Sequence, residues 1–257
     1  MGNTLRFSGR VIPEISNITI ADHPSLRWQD QPDGFEMTIK VTIENSQITV
    51  DCEFDVAYDR SKHFKPAHMR AIDIASAAVN LTAFGLGMGI FVVIDKYSEP
   101  EGKEMHLIYR DHKLEALASV ANPAGPNFSR ALDVVYQDIR MFTVLGDLVR
   151  ANSVPSAVPA SCGSAVEAIR SLMVPKGTDR SEGWPLLRNS LNVTKEYLKL
   201  VTDHATPARH GEHPYVDGGT TEKIAHRAWT LLNRYFEYRI RGGKPLPVSE
   251  FPLLTEQ

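Results

Sequence analysis

The strongest chemical signal in the sequence is a short segment with three histidines and an arginine. Residues 203–214 read DHATPARHGEHP, and their basic side chains are His204, Arg209, His210 and His213. Histidine can take up and release a proton near neutral pH, and the planar guanidinium of arginine is suited to phosphate. Together they suit cleavage of a phosphodiester without a metal ion. One imidazole would help to deprotonate a ribose 2′-hydroxyl or would protonate the leaving oxygen, while the guanidinium holds the charged phosphorane.

Two other interpretations of this segment remain open. His210 and His213 are three residues apart with acidic residues nearby, a set that could bind a metal ion. Metal sites usually draw their ligands from rigid elements, and the Pro and Gly residues here predict a loop, so we expect no metal site. Alternatively, the loop is only polar, and His204 and Arg209 bind carbonyl groups at the end of the preceding helix.

Amphipathic helices are predicted on both sides of this loop. In the second half of the chain, apolar residues recur at intervals of three and four, a spacing typical of helices that bury one face. The predicted helices span about residues 128–149, 161–173, 184–202 and 220–240. They favour an antiparallel four-helix bundle, with residues 245–257 lying across its surface.

Basic residues on these helices are candidates for binding an anionic substrate. We expect Arg188, Lys223 and Arg227 to contact the substrate together with His204. If several of the cations share a face, they form a local groove for a polyanion; the alternative is an ordinary solvated helix face. The wider basic set comprises Lys195, Lys199, Arg234, Arg239, Arg241 and Lys244.

The first half of the chain has the alternating pattern of a β-sheet. Residues 35–43 and 48–58 place apolar side chains at alternate positions on either side of a polar turn, which predicts a hairpin. Other strands are predicted at 5–11, 18–20, 26–29, 90–94 and 105–109. The first three of these are short and separated by prolines, so we expect them at sheet edges. A helix is predicted from Pro66 to about Gly85.

These patterns predict an α+β protein with two domains. Residues 1–116 form a mainly antiparallel sheet with one inserted helix, and residues 125–257 form the four-helix bundle. The alternating pattern changes to a helical one between them, where Pro123 and Pro126 interrupt the chain.

Composition limits the classes of function. With 28 Lys and Arg against 31 Asp and Glu, the net charge of -3 gives no general attraction to nucleic acid or membrane, so any polyanion site must be local. The N-terminus lacks the apolar core of a secretion signal, and the run at 85–94 is shorter than the roughly 20 residues of a membrane span. We expect a cytoplasmic protein without membrane contact.

The second half of the chain resembles the HEPN superfamily, in particular its abortive-infection and RNA-defence branches. The resemblance covers about residues 125–242 and rests on a helical bundle with Arg209-His210-Gly211 before the last helix. It implies a metal-independent endoribonuclease that acts as a homodimer. The catalytic residues would be Arg209 and either His210 or His213, although Arg188 could supply the arginine instead.

Three functions follow as hypotheses. The first is RNA cleavage in a bacterial defence or toxin-type response, with RNA as the partner and no cofactor. The second is a noncatalytic module that binds RNA or protein, and the third is a self-associating regulatory subunit. Residues 1–116 could sense a trigger, bind a partner protein or position RNA.

Overall fold

The computed structural model describes residues 3–21, 24–29, 34–107, 111–174, 180–212 and 214–256, except the side chains of Pro155, Arg180 and Arg209. The chain divides into two compact units, Met1–Ile108 and Tyr109–Gln257. The first unit combines an antiparallel sheet with one long helix, and the second is helical. The predicted α+β class is therefore confirmed.

The first unit is built on one antiparallel sheet, which has six strands among the described residues. The strands are β1 (Thr4–Ile12), β2 (Leu26–Gln29), β3 (Glu36–Glu44), β4 (Gln47–Phe54), β5 (Phe91–Ser98) and β6 (Glu104–His106). Their spatial order is β2-β3-β4-β1-β5-β6. The segment predicted as a strand at 18–20 contributes only a single bridge, from Ile20 to Ile43.

The predicted hairpin is confirmed as β3 and β4. Glu44 pairs with Gln47 and Ile43 with Ile48, so the turn consists of Asn45 and Ser46. Both turn residues have positive φ angles, 49° and 65°, as a tight hairpin turn requires. This register puts every second residue of both strands in the core.

The prediction that residues 5–11 form an edge strand is wrong. β1 lies in the middle of the sheet, paired with β4 on one side and β5 on the other. Leu5, Phe7 and Val11 are fully buried. Pro13 had indicated a sheet edge, but it follows the strand and leaves the hydrogen bonds of β1 intact.

Helix α1 (Arg60–Leu86) packs on the sheet and begins six residues before the predicted start at Pro66. The N-cap is Asp59, whose carboxylate accepts a hydrogen bond from the Ser61 N–H at 2.9 Å. The ring nitrogen Nδ1 of His63 in turn accepts the Asp59 N–H at 2.9 Å. The start is therefore fixed by two side chains before the proline, which the second turn of α1 accommodates.

His68 belongs to the core between α1 and the sheet. Its ring lies 5.4 Å from the ring of Phe7 and 6.2 Å from that of Phe64, measured between centroids. Burial disfavours the charged imidazolium and lowers the pKa of His68 from 6.5 to about 4. The folded protein therefore keeps this side chain neutral at pH values where an unfolded chain would protonate it.

We expect His68 to make the sheet unit less stable as the pH falls from about 6.5 towards 4. The unfolded state takes up a proton that the folded state refuses, so up to about 3 kcal/mol of stability, present above pH 6.5, is lost in this window. His68→Leu should lose less stability over the same range, whereas His106→Gln, at an exposed position of β6, should behave like wild type.

This pH dependence is measured by urea unfolding at pH 7 and pH 4.5. The fluorescence of Trp28 reports on the sheet unit when Trp184 and Trp229 are both replaced by Phe. An equal loss of unfolding free energy in wild type and His68→Leu would contradict the assignment.

The second unit has seven α-helices among the described residues, more than the predicted four. They are α2 (His112–Leu117), α3 (Phe128–Tyr136), α4 (Arg140–Ser153), α5 (Val158–Met173), α6 (Gly183–Leu191), α7 (Lys195–Arg209) and α8 (Gly218–Ile240). α5 packs against α4, α7 and α8, and its buried face forms the middle of the core. None of the described helices is long and apolar enough to cross a membrane.

Two predicted helices are each divided by a local signal. The Asp138 carboxylate accepts the Arg140 N–H at 3.0 Å, so α4 starts anew after α3. Asn192 adopts a left-handed φ of 50° and ends α6, and Thr194 then caps α7 by accepting the Tyr197 N–H at 3.1 Å. Apolar spacing of three and four continues across both breaks, which is why it predicted single helices.

The boundary between the units lies before the predicted end of the first domain at residue 116. α2 contacts α8, and Leu114 is buried in the helical core. The side chain of Asp111 caps α2 by accepting the N–H groups of Lys113 and Leu114. Residues 111–116 therefore pack with the helices.

The C-terminal segment lies against the turn between α6 and α7, which confirms its predicted course along the surface of the bundle. The N–H of Leu254 donates to the Asn192 carbonyl at 2.9 Å, and the Asn192 side-chain amide donates to Leu246 and Phe251 carbonyls at 2.8 and 3.0 Å. One asparagine therefore ends a helix and holds the last residues.

Arg234 connects α8 to the end of α6 and to the C-terminal segment. Its guanidinium is buried on α8 and donates to the carbonyls of Leu191, Asn192 and Pro252 at 2.8, 2.9 and 2.7 Å. Burial lowers the pKa of Arg234, because removal from water costs the charged form. The carbonyl oxygens offset this cost by charge-assisted hydrogen bonds.

Candidate functional site

The histidine-rich segment is helical for half of its length. We predicted that the preceding helix ends at about Thr202, but α7 continues through Pro207 to Arg209. Pro207 lies in the last turn of α7, where the loss of one backbone hydrogen bond interrupts little of the helix. His204 is consequently a helix residue, and the connection to α8 consists of residues 210–217.

His210 is the C-cap of α7 and has an exposed side chain. Its N–H donates to the carbonyls of Pro207 at 3.0 Å and Thr206 at 3.3 Å. The next residue, Gly211, has a φ of 80°, which turns the chain away from the helix axis. The backbone of His210 is therefore fixed while its imidazole faces solvent.

The other two predicted catalytic residues are only partly within the described structure. Arg209 is the last residue of α7, and its side chain lies outside the described part. His213 lies outside it altogether. Of the predicted catalytic side chains, the structure thus places that of His210.

His204 points back onto its own helix. Its Nδ1 lies 2.8 Å from the Leu200 carbonyl oxygen. A carbonyl can only accept, so Nδ1 carries the proton and Nε2 is the ring atom that can receive one. This contact matches the alternative in which His204 binds a carbonyl group of the preceding helix, although the bond lies one turn inside α7.

Arg227 has a structural role that differs from the predicted contact with substrate. Its guanidinium donates to the carbonyls of Tyr197 at 2.8 Å and Glu256 at 3.0 Å, and it lies 4.8 Å from the centre of the Tyr197 ring. It therefore joins α8, the start of α7 and the C-terminal segment. Arg188 is half-buried on α6, and Lys223 is exposed on α8.

The wider basic set is divided between internal and surface roles. Arg234 is buried, Arg239 donates to the Tyr235 hydroxyl and the Gln137 side chain, and Arg241 pairs with glutamates. Among the described side chains of α7 and α8, the exposed lysines are Lys195, Lys199 and Lys223. A polyanion would meet these lysines, since the arginines of α8 hold the unit together.

The N-terminus of α8 already holds an anion. The Asp217 carboxylate caps the helix by accepting the Thr220 N–H at 3.0 Å. Hydrogen bonds from Thr220 lower the pKa of Asp217, so this carboxylate is ionised at neutral pH. The first turn of α8 therefore carries its own carboxylate at the positive end of the helix.

No group of three or more His, Cys, Asp or Glu side chains is placed to hold a metal ion within the described residues. Both cysteines are buried, and burial raises the pKa of each thiol to about 12. Sequence reasoning missed the paired roles of Asn192 and Arg234. The available signal was the residue type at position 192, since asparagine tolerates the left-handed backbone with which α6 ends.

Both halves of the chain match family models. Residues 5–108 match the N-terminal domain, and residues 128–240 the C-terminal domain, of a family described as a domain of unknown function, DUF8168. The two matches follow each other in the expected order and together span most of the chain. No curated protein and no solved structure matches it.

Proposed function

We propose that this chain, which belongs to the DUF8168 family, binds RNA at the end of α7 and cleaves it by proton transfer at His210. The observation that carries the proposal is the exposed imidazole on a backbone fixed by two hydrogen bonds. The matched descriptions name no activity, so the proposal depends on the chemistry of these residues. The order of parts, with Arg209-His210-Gly211 before the last helix, also resembles the HEPN superfamily.

The reaction that fits these residues is a transesterification at one phosphate. The ribose 2′-oxygen attacks phosphorus and gives its proton to a base, and the 5′-oxygen leaves with a proton from an acid. The products are a 2′,3′-cyclic phosphate and a 5′-hydroxyl. His210 serves one of the two proton transfers, and Arg209 balances the negative charge on the phosphorane. Lys223 binds a neighbouring phosphate of the RNA.

His210→Ala is expected to lower the rate of RNA cleavage by about 100-fold or more, the usual contribution of a positioned acid or base. Full-length protein is incubated with RNA of mixed sequence in EDTA, and the 3′ ends are analysed for cyclic phosphate. His112→Ala is the matched control, since that imidazole is 78% exposed on α2, and it should cleave like wild type.

Arg209→Ala should also reduce the rate of cleavage, as His210→Ala does, because the two side chains act on the same phosphate. Intact RNA after incubation with wild type, or full activity in His210→Ala, would sink the proposal. Activity that requires an added divalent cation would assign the chemistry to a metal ion instead.

Noncatalytic RNA binding is the second candidate, favoured by the exposed lysines Lys195, Lys199 and Lys223. Binding through lysines alone requires no proton transfer and weakens with salt as counterions are released. In this case RNA affinity survives His210→Ala and falls in a Lys195→Ala, Lys199→Ala, Lys223→Ala triple variant. Titrations of labelled RNA at two salt concentrations separate it from the enzyme.

A further inference from the structure

Helix α4 presents an apolar side to solvent. Ile139, immediately before α4, is 76% exposed, and Phe142 and Val149 on the helix are 51% and 60% exposed. These three residues recur at intervals of three and seven, so they lie on one face of the helix. Tyr136 extends the row, with its ring 6.5 Å from that of Phe142 in an edge-to-face arrangement. A contiguous exposed apolar row of this kind marks a surface for interaction.

Gly146 lies in the middle of this row. A glycine inside a helix costs about 1 kcal/mol relative to alanine. Nothing within the unit requires it, because a Cβ built on Gly146 would meet no atom within 4 Å. The missing side chain leaves the backbone of α4 open to close approach by another chain.

A cleft of about 140 Å³ opens beside the same row. Leu145 and Val149 of α4 form one wall, and Trp229, Leu232 and Phe236 of α8 form the other. Its polar lining residue, Asn233, already accepts the Val120 N–H at 3.1 Å. A cavity of about 150 Å³ with similar walls is known to hold benzene, so this cleft has the size and polarity for one phenyl ring.

We propose that the ring in this cleft is Phe142 of a second copy of the chain. Two α4 helices cross antiparallel at Gly146, about a two-fold axis, and each gives one phenyl ring and receives one. Each copy then uses the same surface, with its own Phe142 and its own cleft, as an isologous interface requires.

The spacing along α4 fits this symmetry. Phe142 is four residues before Gly146, and Val149 is three after it. At about 1.5 Å per residue, both lie roughly 5 to 6 Å from the glycine along the helix axis. A two-fold rotation at Gly146 therefore brings Phe142 of one copy beside Val149 of the other, at the mouth of the cleft.

The described residues that line the cleft carry no charge, which is compatible with an aromatic occupant. The nearest carboxylate of α4, Asp147, is engaged by the Ser164 hydroxyl at 2.5 Å. This surface is separate from His210, and the inference does not depend on RNA cleavage.

Sedimentation velocity of the full-length protein over about 1 to 100 μM tests the interface. Wild type should dimerise, and Phe142→Glu should raise the dissociation constant by about 30-fold or more, as loss of a central anchor does. Phe84→Glu, at an aromatic residue of the sheet unit that is 87% exposed, should leave dimerisation unchanged. A monomer at every concentration, or equal dimerisation in wild type and Phe142→Glu, would overturn the proposal.

Gly146→Cys gives a second measurement that does not depend on removing an apolar side chain. Two introduced thiols would meet at the axis, so mild oxidation with diamide should link the copies into a covalent dimer. Both native cysteines are fully buried and should not react. Ser129→Cys, exposed on α3, should crosslink far less. Equal crosslinking at the two positions would exclude an axis at Gly146.

Discussion

Arg234→Met should destabilise the helical unit by about 3 to 5 kcal/mol, the usual effect of breaking a buried charged network. The methionine side chain fills much of the same volume, so the loss reports mainly on hydrogen bonds. Three carbonyl groups, of Leu191, Asn192 and Pro252, lose a charged donor in a place where water has limited access. The expected result is that the helices unfold at a lower urea concentration, as measured by far-ultraviolet circular dichroism.

The matched control for Arg234 is Arg241→Met, seven residues further along the chain. The Arg241 guanidinium pairs with Glu237 and Glu250 at the surface, where solvent weakens such pairs. Its replacement should change the urea midpoint far less. Equal midpoints for the two variants would show that the buried hydrogen bonds of Arg234 contribute little to stability.

Gly9→Ala should destabilise the sheet unit by about 3 kcal/mol or more, since a new side chain in a filled position strains its surroundings. A Cβ on Gly9 would lie 2.0 Å from the carbonyl oxygen of Val93 and 2.8 Å from the Cα of Ile94. Both obstacles are backbone atoms of β5, so no side chain can rotate away. Pairing between β1 and β5 must shift at the irregularity already present between Ser8 and Gly9.

Gly85→Ala is the control for a glycine in open space, since nothing lies within 4 Å of a Cβ there. Near the end of α1 it should be neutral or stabilise by up to about 1 kcal/mol, because alanine favours helix. Hydrogen exchange of peptides from β5 separates the two variants. Wild-type protection of β5 in Gly9→Ala would contradict the close approach of the strands.

Local patterns in the sequence predicted the elements whose partners are close along the chain. The β3–β4 hairpin was predicted because alternation and a polar turn lie within twenty residues of each other. The central place of β1 was missed, since it depends on pairing with β5, more than eighty residues away. Length and flanking prolines give no information about a partner at that distance.

Similar reasons explain the outcome at the candidate site. The exposure of His210 follows from its place after the end of a helix. The proline and glycine residues around it indicate such a place in the sequence. The continuation of α7 past Pro207 was missed, because a proline usually predicts that a helix ends. The structural roles of Arg227 and Arg234 depend on carbonyl groups of α6, α7 and the C-terminal segment, and arginines on an amphipathic helix normally indicate a solvated face.

The attachment of the C-terminal segment has a consequence for synthesis on the ribosome. Arg234 and Asn192 leave the ribosome before the carbonyl groups of Leu246, Phe251 and Pro252 that they bind. Until then, a charged guanidinium and the end of α6 lack part of their hydrogen bonding. The helical unit therefore reaches its final stability only after these residues have emerged from the ribosome, and until then its unsatisfied polar groups remain open to chaperones.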